Sequence, residues 1–239
     1  MRFDILTIFP DMFVSPMSHS ILKRAQTAQK ITLQVWNIRD AAEGVHAQVD
    51  DAPYGGGAGM VFKPEPLVKA IEVVPTVGKR CNILLTPRGK LLQQIDLEEL
   101  LIYDQLVLVC GRYEGVDQRA IDLKIDKEIS VGDYILTGGE IPAMILVDGV
   151  TRLIPGVLGC ENSTVNESFA QGLLEHPHYT RPEIFRGQEV PAVLRSGNHR
   201  EIEAWRRKES LRITQERRPD LLSTAGRLKE LQKEKESGS

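Results

Sequence analysis

Short continuous apolar runs alternate along this chain with stretches of helical period. Phe3–Phe9, Ile31–Ile38, Asn82–Leu85 and Leu106–Cys110 are strand candidates, and the last has no polar face, as a strand buried on both sides requires. Between them, Pro16–Gln26, Pro64–Val74 and Leu91–Leu101 carry apolar stripes of helical spacing, the second with proline near its start. A segment at 130–142 repeats the pattern, with apolar Tyr134-Ile-Leu136, then Thr137-Gly-Gly139, then a helix from about Gly139 to Ile154. Strand and helix in alternation predict an α/β domain on a parallel sheet.

The strand candidates end in turn chemistry: Thr86-Pro-Arg-Gly89, Gly111-Arg-Tyr-Glu114, and Thr137-Gly-Gly139. Open α/β sheets hold ligands at the carboxyl ends of their strands, and glycine there lets main-chain groups approach a flat ligand. One pocket lined mainly by backbone is the reading these ends favour; ordinary tight turns are the alternative. The glycine-rich loop Val49–Met60 has no Lys-Ser/Thr after it and no third spaced glycine, so it is neither a P-loop nor a dinucleotide fingerprint. It reads as a flexible loop or, more sharply, as one facing a substrate.

Beyond Pro155 the periodicity is lost and a flexible linker is expected through 156–170. From 171 the composition changes: a turn-rich connection at Leu173–Pro182, a helix N-cap at Asn198 with its partner Glu201, then a basic helix and a Lys/Glu-rich tail expected to be disordered. The chain has 239 residues, room for one or two domains, with 41% hydrophobic and 26% charged residues. Nothing in it is apolar enough to span a membrane or act as an export signal, so a cytoplasmic protein is expected. Cys81, Cys110 and Cys160 are odd in number and lack CxxC spacing, as reduced thiols would be. Net charge is −3, which argues against a generic nucleic-acid binder, yet residues 195–218 hold eight basic against four acidic side chains. That subregion suits phosphate contacts; a solvated helix laced with ion pairs fits equally well.

Six segments taken together resemble one family. They are Asp50-Asp-Ala-Pro-Tyr-Gly-Gly-Gly-Ala-Gly-Met60, Cys110-Gly-Arg-Tyr-Glu-Gly115, Gly132-Asp-Tyr-Ile-Leu-Thr-Gly-Gly-Glu140, Ile154-Pro-Gly-Val-Leu-Gly159, Pro177-His-Tyr-Thr-Arg-Pro182 and Leu194-Arg-Ser-Gly-Asn-His199. In this order they resemble the bacterial tRNA (guanine-N1)-methyltransferases of the SPOUT superfamily, over residue 2 to about 222. The resemblance implies a parallel sheet with a deep trefoil knot, which periodicity would never suggest, plus a small helical C-terminal domain. The implied division is a knotted catalytic domain at 1–155, the linker at 156–170, and a helical tRNA-binding domain at 171–239.

The resemblance also implies S-adenosyl-L-methionine as methyl donor, with Leu85, Thr86, Pro87, Gly111, Glu114, Val131, Gly132, Tyr134, Leu136, Gly138, Gly139 and Pro142 lining its pocket. The implied acceptor is N1 of the guanine 3′ of the anticodon, position 37, which needs a base for its proton and a donor at O6. Arg152 matches the family's arginine near O6. The family's base is an aspartate in an Asp-Ser-Phe motif; here the motif is Glu167-Ser-Phe169, which keeps the carboxylate and adds a methylene. Asp50, Gly59, Arg195, His199, Arg206 and Arg207 are expected to face tRNA. The resemblance further implies a homodimer sharing the acceptor site, and Mg²⁺. His176 and His178 read as part of a structural turn rather than a metal pair. A ribose 2′-O-methyltransferase and a catalytically silent RNA-binding module are the competing readings.

Overall fold

Backbone pairing in a computed structural model, which describes residues 1–44, 46–159 and 167–223, places five parallel strands in one sheet. They are β1 (Arg2–Thr7), β2 (Thr32–Asn37), β5 (Arg80–Leu91), β6 (Gln105–Cys110) and β7 (Lys127–Ser130), in the order β2-β1-β6-β5-β7. Every neighbouring pair is parallel. Between β2 and β5 the chain makes a small antiparallel ladder of β3 (Asp50–Asp51) and β4 (Val61–Phe62). The chain forms two compact units, Met1–Gly159 and Cys160–Ser239; residues 160–166 of the expected linker, Cys160 among them, and 224–239 of the expected tail lie outside the described residues.

Helices cover both faces of the sheet. Residues of β6 alternate between two cores: Leu106, Leu108 and Cys110 join one, Val107 and Val109 the other, as the two-residue repeat of a strand dictates. The first core is closed by α1 (Ser20–Thr27), α3 (Gln94–Glu99) and α5 (Glu140–Thr151) through Leu22, Leu97, Ala143, Leu146 and Val150. The second is closed by α2 (Pro64–Val73) and α4 (Gln118–Lys124) through Leu67, Ile71, Ala120 and Ile121. Each fully buried Leu or Val contributes about 1.5–3 kcal/mol. Cys81 and Cys110 are buried free thiols in the first core, and Val157 packs into it as well.

Two expected strand ends are corrected. Asn82–Leu85 does not stop at Thr86: β5 continues to Leu91, and both Leu85 and Lys90 pair with Ile129. Pro87 has no N–H for the ladder, so residues 86–89 leave β7 and return. Gly89 returns so close that a Cβ there would meet the backbone of Glu128 and Ile129. Nor is Tyr134-Ile-Leu136 a strand. The strand ends at Ser130, and Tyr134 and Ile135 stand 54% and 81% exposed in the loop that follows. Gly132 and Asp133 break the ladder, and the apolar triplet has no second layer to be buried under. Shorter adjustments occur elsewhere: Pro16–Ser18 is a 3-10 turn ahead of α1, and Leu91 belongs to β5 rather than to a helix.

The second unit contains a hairpin of β8 (Ile184–Phe185) and β9 (Gln188–Glu189), then α6 (Ala192–Arg195) and α7 (His199–Arg217). The Asn198 side chain caps α7 by accepting from Glu201 N at 3.4 Å, while Asn198 N donates to Ser196 Oγ, so the expected reciprocal half of the box is replaced by serine. His178 pairs with Glu175 at 3.0 Å, and the His176 ring stands edge-on to Trp205. Thr214 is buried and its hydroxyl accepts from Leu174 N.

At the amino ends of the strands sits a fully buried carboxylate, Asp4, which accepts from Arg2, Trp36 and Gln105 at 2.7–2.8 Å. Burial pushes its pKa up, but these hydrogen bonds and the Arg2 charge outweigh burial and hold it below the ordinary aspartate value. Asp4→Asn is expected to cost roughly 2–3 kcal/mol at neutral pH, read from urea unfolding. Because the folded pKa is depressed, the parent's advantage is full above ~3.9 and is lost as pH falls through the lower folded value. A variant as stable as the parent at pH 7 would remove Asp4 from this role.

Candidate active site

Where β5 leaves β7 at 86–89, and beyond the carboxyl ends of β6 and β7, a cleft of about 270 Å³ opens. Its walls are the 84–88 excursion, the 111–116 turn and the 129–139 loop, closed by Pro142 on α5. All twelve residues expected at the donor pocket line it: Leu85, Thr86, Pro87, Gly111, Glu114, Val131, Gly132, Tyr134, Leu136, Gly138, Gly139 and Pro142.

The reason is backbone proximity. Gly139 N donates to Gly111 O at 2.8 Å, tying the start of α5 to the end of β6. A Cβ on Gly139 would stand 2.7 Å from Cys110 Cα, and one on Gly111 3.1 Å from Leu85 O. The glycine stretches of the wall therefore present main chain, with Leu85, Val131, Leu136 and Pro142 as apolar groups beside them. A flat heteroaromatic ring with a polar edge is the ligand such a slot accommodates.

Sequence reasoning missed several lining residues, chiefly Arg112, Tyr113, Ile135 and Thr137. They flank the glycines that were singled out, and simple adjacency could have found them. Tyr113 adopts φ +62°, a conformation unusual for a bulky residue, and its ring packs edge-on against Phe62 at 5.2 Å. The neighbouring Glu114 N donates to Met60 O at 2.9 Å, and the Glu114 side chain lies where a Cβ on Gly59 would be. The 50–60 loop is thus fastened to the cleft rim through Gly59. Asp50 sits in β3, opposite Phe62.

Among the remaining expected residues, Arg152 of the first unit does not line the cleft. It is the C-cap of α5. Glu167 belongs to the second unit, in a turn where its carbonyl accepts from Ala170 N and Ser168 Oγ accepts from Glu175 N. Arg195 on α6 pairs with Glu183, and Arg206 on α7 with Glu203 at 3.1 Å. His199 and Arg207 are exposed on α7. The helix does carry ion pairs, Arg212 with Glu209 and Glu216 at 2.8 Å, but Arg207 has none among the described residues.

Cysteine chemistry is disfavoured at both described thiols of the sheet. Burial, with Glu140 beside it, pushes the Cys110 thiol well above its ordinary value, and burial takes Cys81 to about 11. Neither would be a thiolate at neutral pH. Gly139→Ala is expected to destabilise the protein by about 1–3 kcal/mol, since the methyl must push β6 and α5 apart, with thermal unfolding as the measurement. An unchanged melting temperature would mean the contact yields freely.

Comparison with known proteins accords with this geometry. Residues 1–224 match the family model described as tRNA (Guanine-1)-methyltransferase TrmD. A tRNA (guanine-N(1)-)-methyltransferase of Carboxydothermus hydrogenoformans is 54% identical over 230 residues, 96% of this chain and 90% of the relative. Those of Geotalea uraniireducens and Chloroflexus aggregans are 55% and 56% identical, covering 94% of this chain and 92% and 89% of their own. No helix among the described residues is long and apolar enough to cross a membrane. With a parallel sheet, a glycine-walled cleft at its carboxyl edge and a match along nearly its whole length, the chain belongs to the tRNA (guanine-1)-methyltransferase family.

Proposed function

We propose that this chain transfers a methyl group from S-adenosyl-L-methionine to N1 of the guanine immediately 3′ of the tRNA anticodon, position 37, a modification that maintains the reading frame. The single observation that carries the residue-level reading is the cleft, lined by all twelve residues expected from the resemblance. The donor fits its chemistry. Glycine main chain at 111, 132, 138 and 139 can meet an adenine edge, and Leu85, Leu136 and Pro142 can cover its faces. When bound, the donor would supply an electrophilic methyl group on a sulfonium, whose sulfur would keep the S–CH3 bonding pair and leave as a neutral thioether.

The chain's own residues then have two tasks. Guanine N1 carries a proton and becomes a nucleophile only as that proton leaves. Glu167 is the proposed base, its carboxylate taking the N1 proton as the N1–methyl bond forms. Negative charge builds on O6 meanwhile, and the Arg152 guanidinium is the proposed donor there. Asp50 and Gly59 would lie on the acceptor side through the 50–60 loop, whose attachment at Glu114 supports that assignment. Arg195, His199, Arg206 and Arg207 would meet the tRNA backbone.

A trefoil knot belongs to this proposal. It is supported by the parallel order of β5, β6 and β7 and by the excursion at 86–89 that returns against β7. A homodimer with a shared acceptor site is supported by exposed Phe9, Met12 and Val14 in one short segment, since monomers rarely leave such patches uncovered. The division into a catalytic domain at 1–155, a linker at 156–170 and a tRNA-binding domain at 171–239 accords with two compact units. A cytoplasmic site of action suits the substrate. The resemblance adds Mg²⁺; no three His, Cys, Asp or Glu side chains among the described residues gather to hold a metal ion, so no ligand is assigned and no step runs through it.

Incubation with methyl-labelled donor and unmodified tRNA, followed by nucleoside digestion, tests the activity. 1-Methylguanosine at position 37 is expected, and a 2′-O-methyl nucleoside or no product would refute it. Glu167→Gln is expected to slow single-turnover methyl transfer on pre-bound tRNA by ~10²–10⁴ with donor affinity intact; a near-parental rate would clear Glu167. Reversing charge at Arg206 and Arg207 should weaken tRNA binding and flatten its salt dependence, because fewer counterions are released. If affinity and salt slope both hold, α7 is a solvated face.

A further inference from the structure

A buried charge pair lies behind the cleft wall and has no part in the mechanism above. Glu140, the first residue of α5, is 1% exposed. Its carboxylate accepts from Thr7 Oγ1 at 2.8 Å and from Arg112 Nε at 3.1 Å. Thr7 Oγ1 in turn accepts from Phe9 N at 2.9 Å, and the Phe9 ring lies beneath the Arg112 guanidinium, 4.4 Å from Cζ. One carboxylate thus joins the end of β1, the end of β6 and the start of α5. A Cβ on Gly138 would run into Arg112 Nε and the Glu140 carboxylate, so the cleft wall at Gly138 rests directly on the pair.

Arg112 itself lines the cleft. Its side chain is 18% exposed, its Nε edge is held by Glu140, and Nη2 lies 3.8 Å from Met12 Sδ, a weak acceptor. Nη1 has no hydrogen bond among the described residues. Desolvation largely offsets the attraction in an ion pair this deep, so its net stabilisation is small. What it supplies is orientation, since a guanidinium held along one edge presents the other in a fixed plane.

We propose that Glu140 is a positioning residue, aiming Arg112 so that its open edge meets an anionic oxygen of a bound substrate, either the donor's carboxylate or an RNA phosphate. This rests on the cleft being the donor site. The two oxygens share the same planar, bidentate recognition by arginine and are separated by the experiment.

Glu140→Gln, Arg112→Gln and the double variant are made in the full chain, with thermal midpoints measured for each. Arg112→Lys, at the exposed end of the pair, keeps the charge and loses the fork, and stands in if Glu140→Gln does not fold. Binding of S-adenosyl-L-methionine is read by calorimetry and binding of unmodified tRNA by filter retention. A rise of roughly tenfold in one Kd is expected: in donor Kd if the partner is the carboxylate, in tRNA Kd if it is a phosphate. The matching KM should rise with kcat little changed, a selectivity that a general loosening of the fold would not produce. The double variant should bind no worse than the poorer single, because both act through one interaction. Folded variants that keep both Kd values, or whose effects simply add, overturn the proposal. Leu136→Asp serves as the control for the cleft: unchanged donor Kd there would refute the donor site itself, whatever the Glu140 variants do.

Discussion

The structure depends on a strand that has no exposed residue. All six positions of β6 are buried, so each of its amide and carbonyl groups must find a partner inside the protein. Parallel neighbours β1 and β5 supply them along its length. At Cys110 that supply ends, and the next groups must be satisfied by turns. Gly111 O is taken by Gly139 N and Glu114 N by Met60 O. The cleft is the space these turns enclose, so its main-chain lining is a consequence of where the central strand stops.

The two ends of the sheet handle charge in different ways. At the amino ends Asp4 is buried among three donors and turned inward. At the carboxyl ends Glu140 is as deeply buried, yet its partner Arg112 reaches the cleft surface. The first network closes on itself and fixes β1, β2 and β6 in register. The second leaves one edge of a guanidinium available. A buried polar group is costly unless it is hydrogen-bonded, and the guanidinium edge that Glu140 does not hold reaches the cleft surface instead.

Much of this was legible in the sequence for a simple physical reason. Burial on both faces requires continuous apolar runs, and Leu106–Cys110 shows one. Helices on those faces require period 3.6, and Leu67, Val68, Ile71 and Val74 show it. Glycine at 111, 138 and 139 marked close backbone approach, and the structure brings those three positions to one cleft. The cap at Asn198 was readable because it is local, needing only a side-chain oxygen within one turn of the helix.

What the sequence alone determined, then, is what depends on near neighbours: element types, the apolar faces, the glycine turns, and through six local segments the family. Other features required the folded chain. Whether β5 ends at Thr86 or leaves and returns depends on β7 lying alongside to take up Lys90. Whether Tyr134-Ile-Leu136 is strand or cleft wall depends on whether a second layer covers it. The Glu140–Thr7 bond spans 133 positions, and no pattern of a few residues encodes such a meeting. Local chemistry follows from steric and periodic rules acting within a turn or two, whereas a long-range contact exists only once the intervening core has packed and set its ends together.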